Sequence, residues 1–192
     1  GDGMNVEILE QQLARYQPKL IYTMPVFHNP CGDSMSKDRR IRLLELAGRY
    51  GIPILEDDPY SELYYEAQPM SPLKSMDQDG HVIYLSTCSK TISPGLRLGW
   101  MCASRKLISR LSGIRQLTDL HSSCISQQIV ERFMGSRDME HHLAFIRREY
   151  RERRDIMIEA LNRYAPPGLS WNRPEGGYYL WCRPPEGVPA SA

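Results

Sequence analysis

The sequence lacks several features that would assign a protein to a class at once. No apolar stretch approaches the roughly 20 residues that a membrane-spanning helix needs, and no signal peptide opens the chain. The five cysteines are odd in number and include no CxxC pair, so free thiols in a reducing compartment fit best. The 24 basic and 23 acidic side chains nearly cancel, which removes any general argument for nucleic acid or an acidic membrane surface as a partner. We therefore expect a cytoplasmic protein that binds no membrane and, through this segment, no nucleic acid.

What the chain does contain is a regular alternation of apolar, strand-like runs and helical patterns. Its 192 residues, 41% of them hydrophobic, can bury a core and form one domain or part of a larger one. The elements are predicted in the order α-β-α-β-β-β-α-α-β-β, which is typical of an α/β sheet with crossover helices. The predicted strands lie in KLIYTMP, IPILEDD, HVIYLST, LRLGWMCAS and GLSWNRPEGGYYLWC. The last strands follow a long helix, which indicates a second, smaller domain that begins near residue 138.

Three finer expectations concern the packing of these elements. The helix SKDRRIRLLELAGRYG is expected to carry Ile41, Leu44 and Ala47 on one apolar face. Residues 104 to about 135 are expected to be helical throughout. All three tryptophans are assigned to the core.

Polar side chains stand at three predicted strand ends, where open α/β sheets bind their ligands. They are Asn29, the acids of EDDPY, and Lys90 with Arg97. Each also has a purely structural explanation, because Asn-Pro is common in turns, acids cap strand ends, and a lysine at a strand end is usually solvated. Strand alternation places Asp57 on one face and its two neighbouring acids on the other.

Taken together, these groups suit one cofactor. Pyridoxal phosphate needs an amine for a Schiff base, a carboxylate for its pyridine nitrogen and cationic donors for its phosphate. The motifs NPCG, EDDPY, TCSKTISPGLRLGW and PEGGYYLW follow one another in an order that resembles class I/II aminotransferases of the fold-type I pyridoxal-phosphate superfamily. The resemblance spans nearly the whole chain. It is strongest to the aminotransferase-like domain of MocR-type regulators in the GntR group and to aminoadipate and aromatic aminotransferases.

The resemblance implies roles for four residues around the reacting part of the cofactor. Lys90 resembles the Schiff-base lysine, which also moves the proton from the substrate's Cα. Asp57 resembles the acid that pairs with the pyridine nitrogen and keeps it protonated. Asn29 and Tyr60 resemble the two donors to the cofactor's phenolic oxygen.

Three further residues resemble the phosphate-binding set. Arg97 matches the arginine that grips the phosphate, a bidentate role that lysine would fill poorly. Thr87, three residues before the lysine, and Ser89 occupy hydroxyl positions that contact the same phosphate. One departure is Cys31, which stands where the family usually has threonine, and Arg183 is assigned no role. No metal site is predicted.

The resemblance also implies an architecture and a function. Residues 1–137 would form the C-terminal half of a large cofactor-binding domain, with a mixed, mostly parallel sheet between helices. Residues 138–192 would form a connecting helix and the start of a smaller α+β domain, so the chain is expected to be a fragment. The full-length protein is expected to be a homodimeric aminotransferase that acts on an amino acid and a 2-oxo acid. The alternative is an effector-sensing domain of a MocR/GntR-type transcriptional regulator, which would bind DNA only through an upstream winged helix-turn-helix.

Overall fold

The computed structural model describes residues 3–188, in which helices and strands alternate over the first hundred residues and helices dominate the next sixty. The α-helices are α1 (Val6–Tyr16), α2 (Lys37–Tyr50), α3 (Leu73–Met76), α4 (Arg105–Thr118), α5 (Cys124–Met134) and α6 (Arg137–Tyr164). The strands are β1 (Ile21–Thr23), β2 (Ile54–Asp57), β3 (Val82–Thr87), β4 (Gly99–Cys102), β5 (Ser170–Trp171) and β6 (Cys182–Arg183). A short 3₁₀ turn covers Pro94–Leu96.

The main sheet has the order β1-β2-β3-β4, and its first three strands are parallel while β4 runs antiparallel to β3. This confirms the predicted mixed, mostly parallel sheet. Because β1, β2 and β3 point the same way, their carboxyl ends meet at one edge of the sheet. All the predicted site residues lie at this edge: Asp57 and Thr87 are the last residues of β2 and β3, and the others lie in the loops that follow the three strands.

One face of the sheet is closed by α1, α2 and α3 over an apolar core. The buried members of this core are Val6, Leu13, Ile21, Met35, Leu43, Leu46, Ala47, Ile52, Ile54, Leu73 and Val82. Helix α1 begins at the N-cap Asn5, whose side chain accepts a hydrogen bond from the Ile8 amide, and α2 ends at Gly51 in the left-handed conformation.

The buried face of α2 differs from the predicted one. Ala47 is buried as expected, but Ile41 is 39% exposed and Leu44 only borders the core. The inward positions are taken by Leu43, Leu46 and the fully buried Arg40. The apolar pattern predicted the wrong buried face of α2 because a charged residue, Arg40, occupies one of the inward positions.

The second half of the chain also departs from two expectations. The helical stretch after residue 104 is broken between Thr118 and Cys124, where Leu120 has a positive φ of 60° and the Ser123 side chain caps the following helix. Two of the tryptophans are not core residues, since Trp100 and Trp181 are 43% and 37% exposed.

Helix α6 and the residues that follow it pack against the turn after β2. Arg154 is buried and donates to the Pro174 carbonyl and to Glu66. The segment PEGGYYLW is not a regular strand but meets the turn through an isolated bridge between Tyr64 and Gly176. Helix α6 begins close to the predicted domain boundary. That division stays a prediction, and its outermost residues, 1–2 and 189–192, lie outside the described residues.

Three observations bear on protein class. No described helix combines the length and apolar character needed to cross a membrane. Among residues 3–188, no group of three or more His, Cys, Asp or Glu side chains is arranged to hold a metal ion. All five cysteines are free thiols.

Candidate functional site

The three consecutive acids at the end of β2 lie in different environments. Glu56 is fully buried, and its two carboxylate oxygens accept hydrogen bonds from the backbone amides of Leu73 and Lys74 at 2.7 and 2.8 Å, at the start of α3. Asp58 is also buried and accepts from the Tyr84 hydroxyl at 2.9 Å and from a backbone amide in the next turn. Both acids therefore stabilise the fold.

Asp57 points to the opposite face, as strand alternation predicts. Its Oδ2 accepts a hydrogen bond of 2.7 Å from the hydroxyl of Tyr22 on β1. Within the described part of the chain, its Oδ1 accepts no hydrogen bond. Asp57 is thus the one acid of the three with an acceptor oxygen left for a ligand.

Lys90 lies in the loop that joins β3 to β4. The loop is closed at its base by a hydrogen bond of 3.0 Å from the Cys88 amide to the Leu98 carbonyl and by the pairing of Thr87 with Gly99. The Ile92 and Ser93 amides both donate to the Cys88 carbonyl, which turns the chain sharply after the lysine. The fold therefore presents Lys90 at the same sheet edge as Asp57.

Tyr178 contacts Lys90 at both its backbone carbonyl and its side-chain amine. Its hydroxyl donates to the Lys90 carbonyl at 3.1 Å, and the Lys90 Nζ lies 5.5 Å from the centroid of the Tyr178 ring. The hydroxyl oxygens of Tyr178 and Tyr150 lie 3.2 Å apart. Since the single proton of Tyr178 goes to the carbonyl, Tyr150 supplies the proton for this second bond. Lys90 is therefore linked to α6 through two tyrosines. No ion pair or hydrogen bond engages its amine within residues 3–188.

The three residues predicted to bind phosphate share this loop, but only two of them are in contact. The hydroxyl oxygens of Thr87 and Ser89 lie 3.0 Å apart, and Thr87 Oγ1 also lies 3.1 Å from the Leu98 carbonyl oxygen. Arg97 is exposed, adopts a left-handed backbone with φ of 53°, and its guanidinium donates to the Pro94 carbonyl at 3.2 Å. Its side chain is therefore accessible to an anion.

Tyr60 is buried in the turn after β2, beside other tyrosines. Its ring centroid lies 5.4 Å from that of Tyr178 and 6.0 Å from that of Tyr179. Burial raises the pKa of the Tyr60 and Tyr178 hydroxyls well above the usual range, and hydrogen bonds to neighbouring tyrosines add to the effect. Both hydroxyls are therefore neutral at physiological pH.

Asn29 lies in the turn between β1 and α2. It is exposed and forms a cis peptide bond with Pro30, and its side-chain amide makes no hydrogen bond within the described part of the chain. The turn itself is held in place, because Asn172 donates to the Cys31 carbonyl at 2.6 Å. Cys31 at this position is thus compatible with an ordered turn.

Gly176 and Gly177 are required by close packing rather than by flexibility alone. A Cβ atom at Gly176 would lie 2.4 Å from the Phe27 ring and 2.6 Å from the Leu63 carbonyl oxygen. Gly177 has a φ of 75°, which residues with a side chain rarely adopt. These glycines allow PEGGYYLW to approach the turns after β1 and β2, which brings Tyr178 and Tyr179 to the site.

Sequence reasoning missed three of the residues that complete this arrangement: Tyr22, Tyr150 and Tyr178. Two of them had a usable signal: Tyr22 precedes the NPCG turn on a strand parallel to β2, and Tyr178 belongs to the PEGGYYLW motif. Tyr150 had none, because its contact with Tyr178 joins α6 to a segment that follows it in the chain.

Comparisons with known proteins agree with the geometry. The family model described as "Aminotransferase class I and II" matches residues 2–187. The aromatic-amino-acid aminotransferase 1 of Thermococcus litoralis is 41% identical over 97% of this chain and 46% of its own length. The uncharacterized HTH-type transcriptional regulator YisV of Bacillus subtilis is 39% identical over 99% of this chain and 39% of its own length.

Solved structures give the same result. The kynurenine aminotransferase of Pyrococcus horikoshii, crystallised in complex with PMP, superposes with a TM-score of 0.94 at 41% identity and covers 99% of this chain and 48% of its own. The chain thus spans about half the length, or less, of the relatives that it matches. The family match across nearly all of the sequence, together with these relatives, shows that the chain belongs to the class I and II aminotransferase family.

Proposed function

We propose that the full-length protein is a pyridoxal-phosphate-dependent aminotransferase, which transfers an amino group between an amino acid and a 2-oxo acid. The observation that supports this most directly is the pair of groups at the carboxyl edge of the sheet. Asp57 keeps one carboxylate oxygen open, and the Lys90 amine is engaged by no acid within residues 3–188. If Asp57 and Lys90 only stabilised the fold through ion pairs, the carboxylate and the amine would each have a charged partner.

The residues present fit the chemical needs of this cofactor. An open carboxylate oxygen on Asp57 suits a protonated ring nitrogen, and an unpaired amine on Lys90 suits covalent attachment. Thr87, Ser89 and Arg97 offer two hydroxyls and a guanidinium, which is a donor set for phosphate. When bound, the cofactor supplies an electrophilic carbon and an electron-accepting ring.

The chain's own residues would then have distinct tasks. Lys90 Nζ would take the proton from the substrate's Cα, and Asp57 would pair with the ring nitrogen. Tyr60, neutral at physiological pH, would donate its hydroxyl proton to the phenolic oxygen together with Asn29. The exposed Asn29 amide is free to make this bond because nothing in the described chain competes for it.

Borohydride reduction of the full-length holoprotein, followed by peptide mass mapping, tests the central assignment. The cofactor mass should be found on the peptide that contains Lys90 and should be lost in Lys90→Ala. Lys106→Ala is the matched control, because Lys106 is exposed at the start of α4. A label on another lysine in the wild-type protein would exclude Lys90 as the attachment point.

A second candidate function is favoured by the regulator YisV, which matches this chain almost as closely as the aminotransferases do. In that case the same site would bind the cofactor and an amino-acid effector, and a DNA-binding segment would respond to them. The two functions differ in that an aminotransferase catalyses transamination and a regulator need not. A holoprotein that binds a DNA operator and shows no transamination with any of the common amino acids would be a regulator.

We further propose that the full-length protein is a cytoplasmic homodimer and that residues 1–192 alone bind the cofactor weakly without transaminating. The chain covers about half the length of its relatives, and each missing charged contact is worth on the order of 1.5–3 kcal/mol. Sedimentation of the full-length protein tests the dimer, and a fully active monomer would exclude it. Tight, stoichiometric cofactor binding by residues 1–192 would contradict the second expectation.

A further inference from the structure

We propose that Tyr22 is a positioning residue for the Asp57 carboxylate: its hydroxyl holds Oδ2 so that Oδ1 faces the ring nitrogen of the cofactor. This inference rests on the proposed function, since it assigns a task to a residue that touches Asp57 rather than the cofactor.

The register of the sheet explains why these two side chains meet. Tyr22 on β1 pairs with Leu55 on β2, and Asp57 lies two residues farther along on the same face. Diagonal neighbours of this kind are roughly 7–8 Å apart at the backbone, so a short side chain could not reach. The tyrosine ring spans the gap and brings its hydroxyl to 2.7 Å from Oδ2.

The electrostatics of the pair determine which group donates. Partial burial of the half-exposed Tyr22, and then the hydrogen bond and charge of Asp57, raise the pKa of its hydroxyl from 10.0 to about 12. Tyr22 is therefore protonated at physiological pH and donates its proton to Oδ2 of Asp57. Tyr60 is also coupled to this pair: burial and the neighbouring Tyr179 raise its pKa most, and Asp57 and Tyr22 add to the effect.

A donor on one oxygen restricts the carboxylate to one orientation. A free aspartate can rotate about its side-chain bonds and present either oxygen or neither. With Oδ2 held, Oδ1 is the oxygen that no donor in residues 3–188 occupies. Tyr22 thus acts on the cofactor through Asp57.

The first test is cofactor affinity in the full-length protein. Tyr22→Phe keeps the ring and removes the hydroxyl, and we expect pyridoxal phosphate to bind roughly 3- to 10-fold more weakly in an absorbance titration of the apoprotein, as for loss of one hydrogen bond. Tyr16→Phe is the matched control, because Tyr16 is exposed and its hydroxyl makes no hydrogen bond in residues 3–188. Unchanged affinity in Tyr22→Phe would overturn the proposal.

A double-mutant cycle separates positioning from a general structural effect. In the Asp57→Asn background, Tyr22→Phe should cause no further loss of affinity, because there is no longer a carboxylate to hold. Additive losses would mean that Tyr22 acts independently of Asp57 and would also overturn the proposal.

A third measurement needs no cofactor. The ¹³Cζ resonance of Tyr22 in the apoprotein should titrate near pH 12 and shift toward pH 10 in Asp57→Asn, whereas an unchanged titration would mean that the two side chains are not coupled. If the full-length wild-type protein binds no pyridoxal phosphate while this coupling is present, then the proposed function fails. The assigned task of Tyr22 fails with it, and the Tyr22–Asp57 contact remains as a structural one.

Discussion

The two faces of the sheet at the end of β2 have opposite properties, although they are formed by three adjacent acids. On the closed face, Glu56 and Asp58 are buried, and both oxygens of each accept hydrogen bonds. Burial lowers the pKa of the nearby Arg40 guanidinium, and the charges of Glu56 and Asp58 oppose that effect. Arg40 itself donates to the carbonyls of Met35, Ser71 and Pro25. These three charged groups thus all have hydrogen-bond partners within the chain.

On the open face, Tyr22 is the one hydrogen-bond partner of Asp57 among residues 3–188, and the second carboxylate oxygen accepts no bond there. Lys90 is held by its backbone carbonyl and by the face of an aromatic ring, while its amine has no hydrogen bond or ion pair in the same range. Both side chains are only partly buried, so solvent or a ligand can reach the open oxygen and the amine. The closed face serves the fold, whereas we propose that the open face serves binding, so substitutions on the two faces should affect different measurements.

The largest expected effect is on catalysis by the full-length protein. In the proposed aminotransferase, Asp57→Asn should lower turnover by about 10³-fold, because the negative charge that would pair with the ring nitrogen is lost, while changing the free energy of unfolding by less than about 1 kcal/mol. Steady-state kinetics and denaturant unfolding measure the two quantities. An Asp57→Asn variant that turns over as fast as wild type would remove the functional distinction between the faces.

The next effect is on stability from the closed face. Arg40→Met should lower the free energy of unfolding by about 3 kcal/mol, since three carbonyls lose their donor and two buried acids lose a nearby cation. Lys37→Met on the same helix is the control, because Lys37 is exposed and should change stability by no more than about 0.5 kcal/mol. Equal, small effects from both substitutions would show that the Arg40 network does not stabilise the fold.

A smaller effect should follow from disturbing the segment that completes the open face. Gly176→Ala should destabilise the protein by about 2 kcal/mol, because the added methyl group would overlap the Phe27 ring and a backbone carbonyl. In contrast, Gly113→Ala in helix α4 meets no atom within 4 Å and should stabilise by up to about 1 kcal/mol. Thermal unfolding of both variants checks that the two changes in stability have opposite signs. A Gly176→Ala variant as stable as wild type would contradict the tight packing at this position.

The smallest effect is expected at Tyr178. Tyr178→Phe keeps the ring that faces the Lys90 amine but removes the hydrogen bond to the Lys90 carbonyl, so it should cost about 1 kcal/mol of stability. Tyr178→Leu, which also removes the ring, should in addition weaken cofactor binding. Identical cofactor affinities for the two variants would mean that the ring contributes nothing to the placement of the amine.

The sequence by itself determined much of this protein. The four ordered motifs identified the family, the apolar runs located the strands of the main sheet, and strand alternation separated Asp57 from Glu56 and Asp58. The strand predictions succeeded because the alternation of side chains with a period of two is a local property of an extended backbone. The catalytic and cofactor-binding roles of the site residues remain predictions from the resemblance.

Other features were decided only by the tertiary structure. Tyr22 meets Asp57 because of the register between β1 and β2, and Tyr178 meets Lys90 because two glycines let a distant segment pack closely. The outward position of Ile41 likewise follows from the burial of Arg40 among carbonyls that come from three separate parts of the chain. Each of these outcomes depends on contacts between residues far apart in sequence, and local propensity and periodicity carry no information about such contacts.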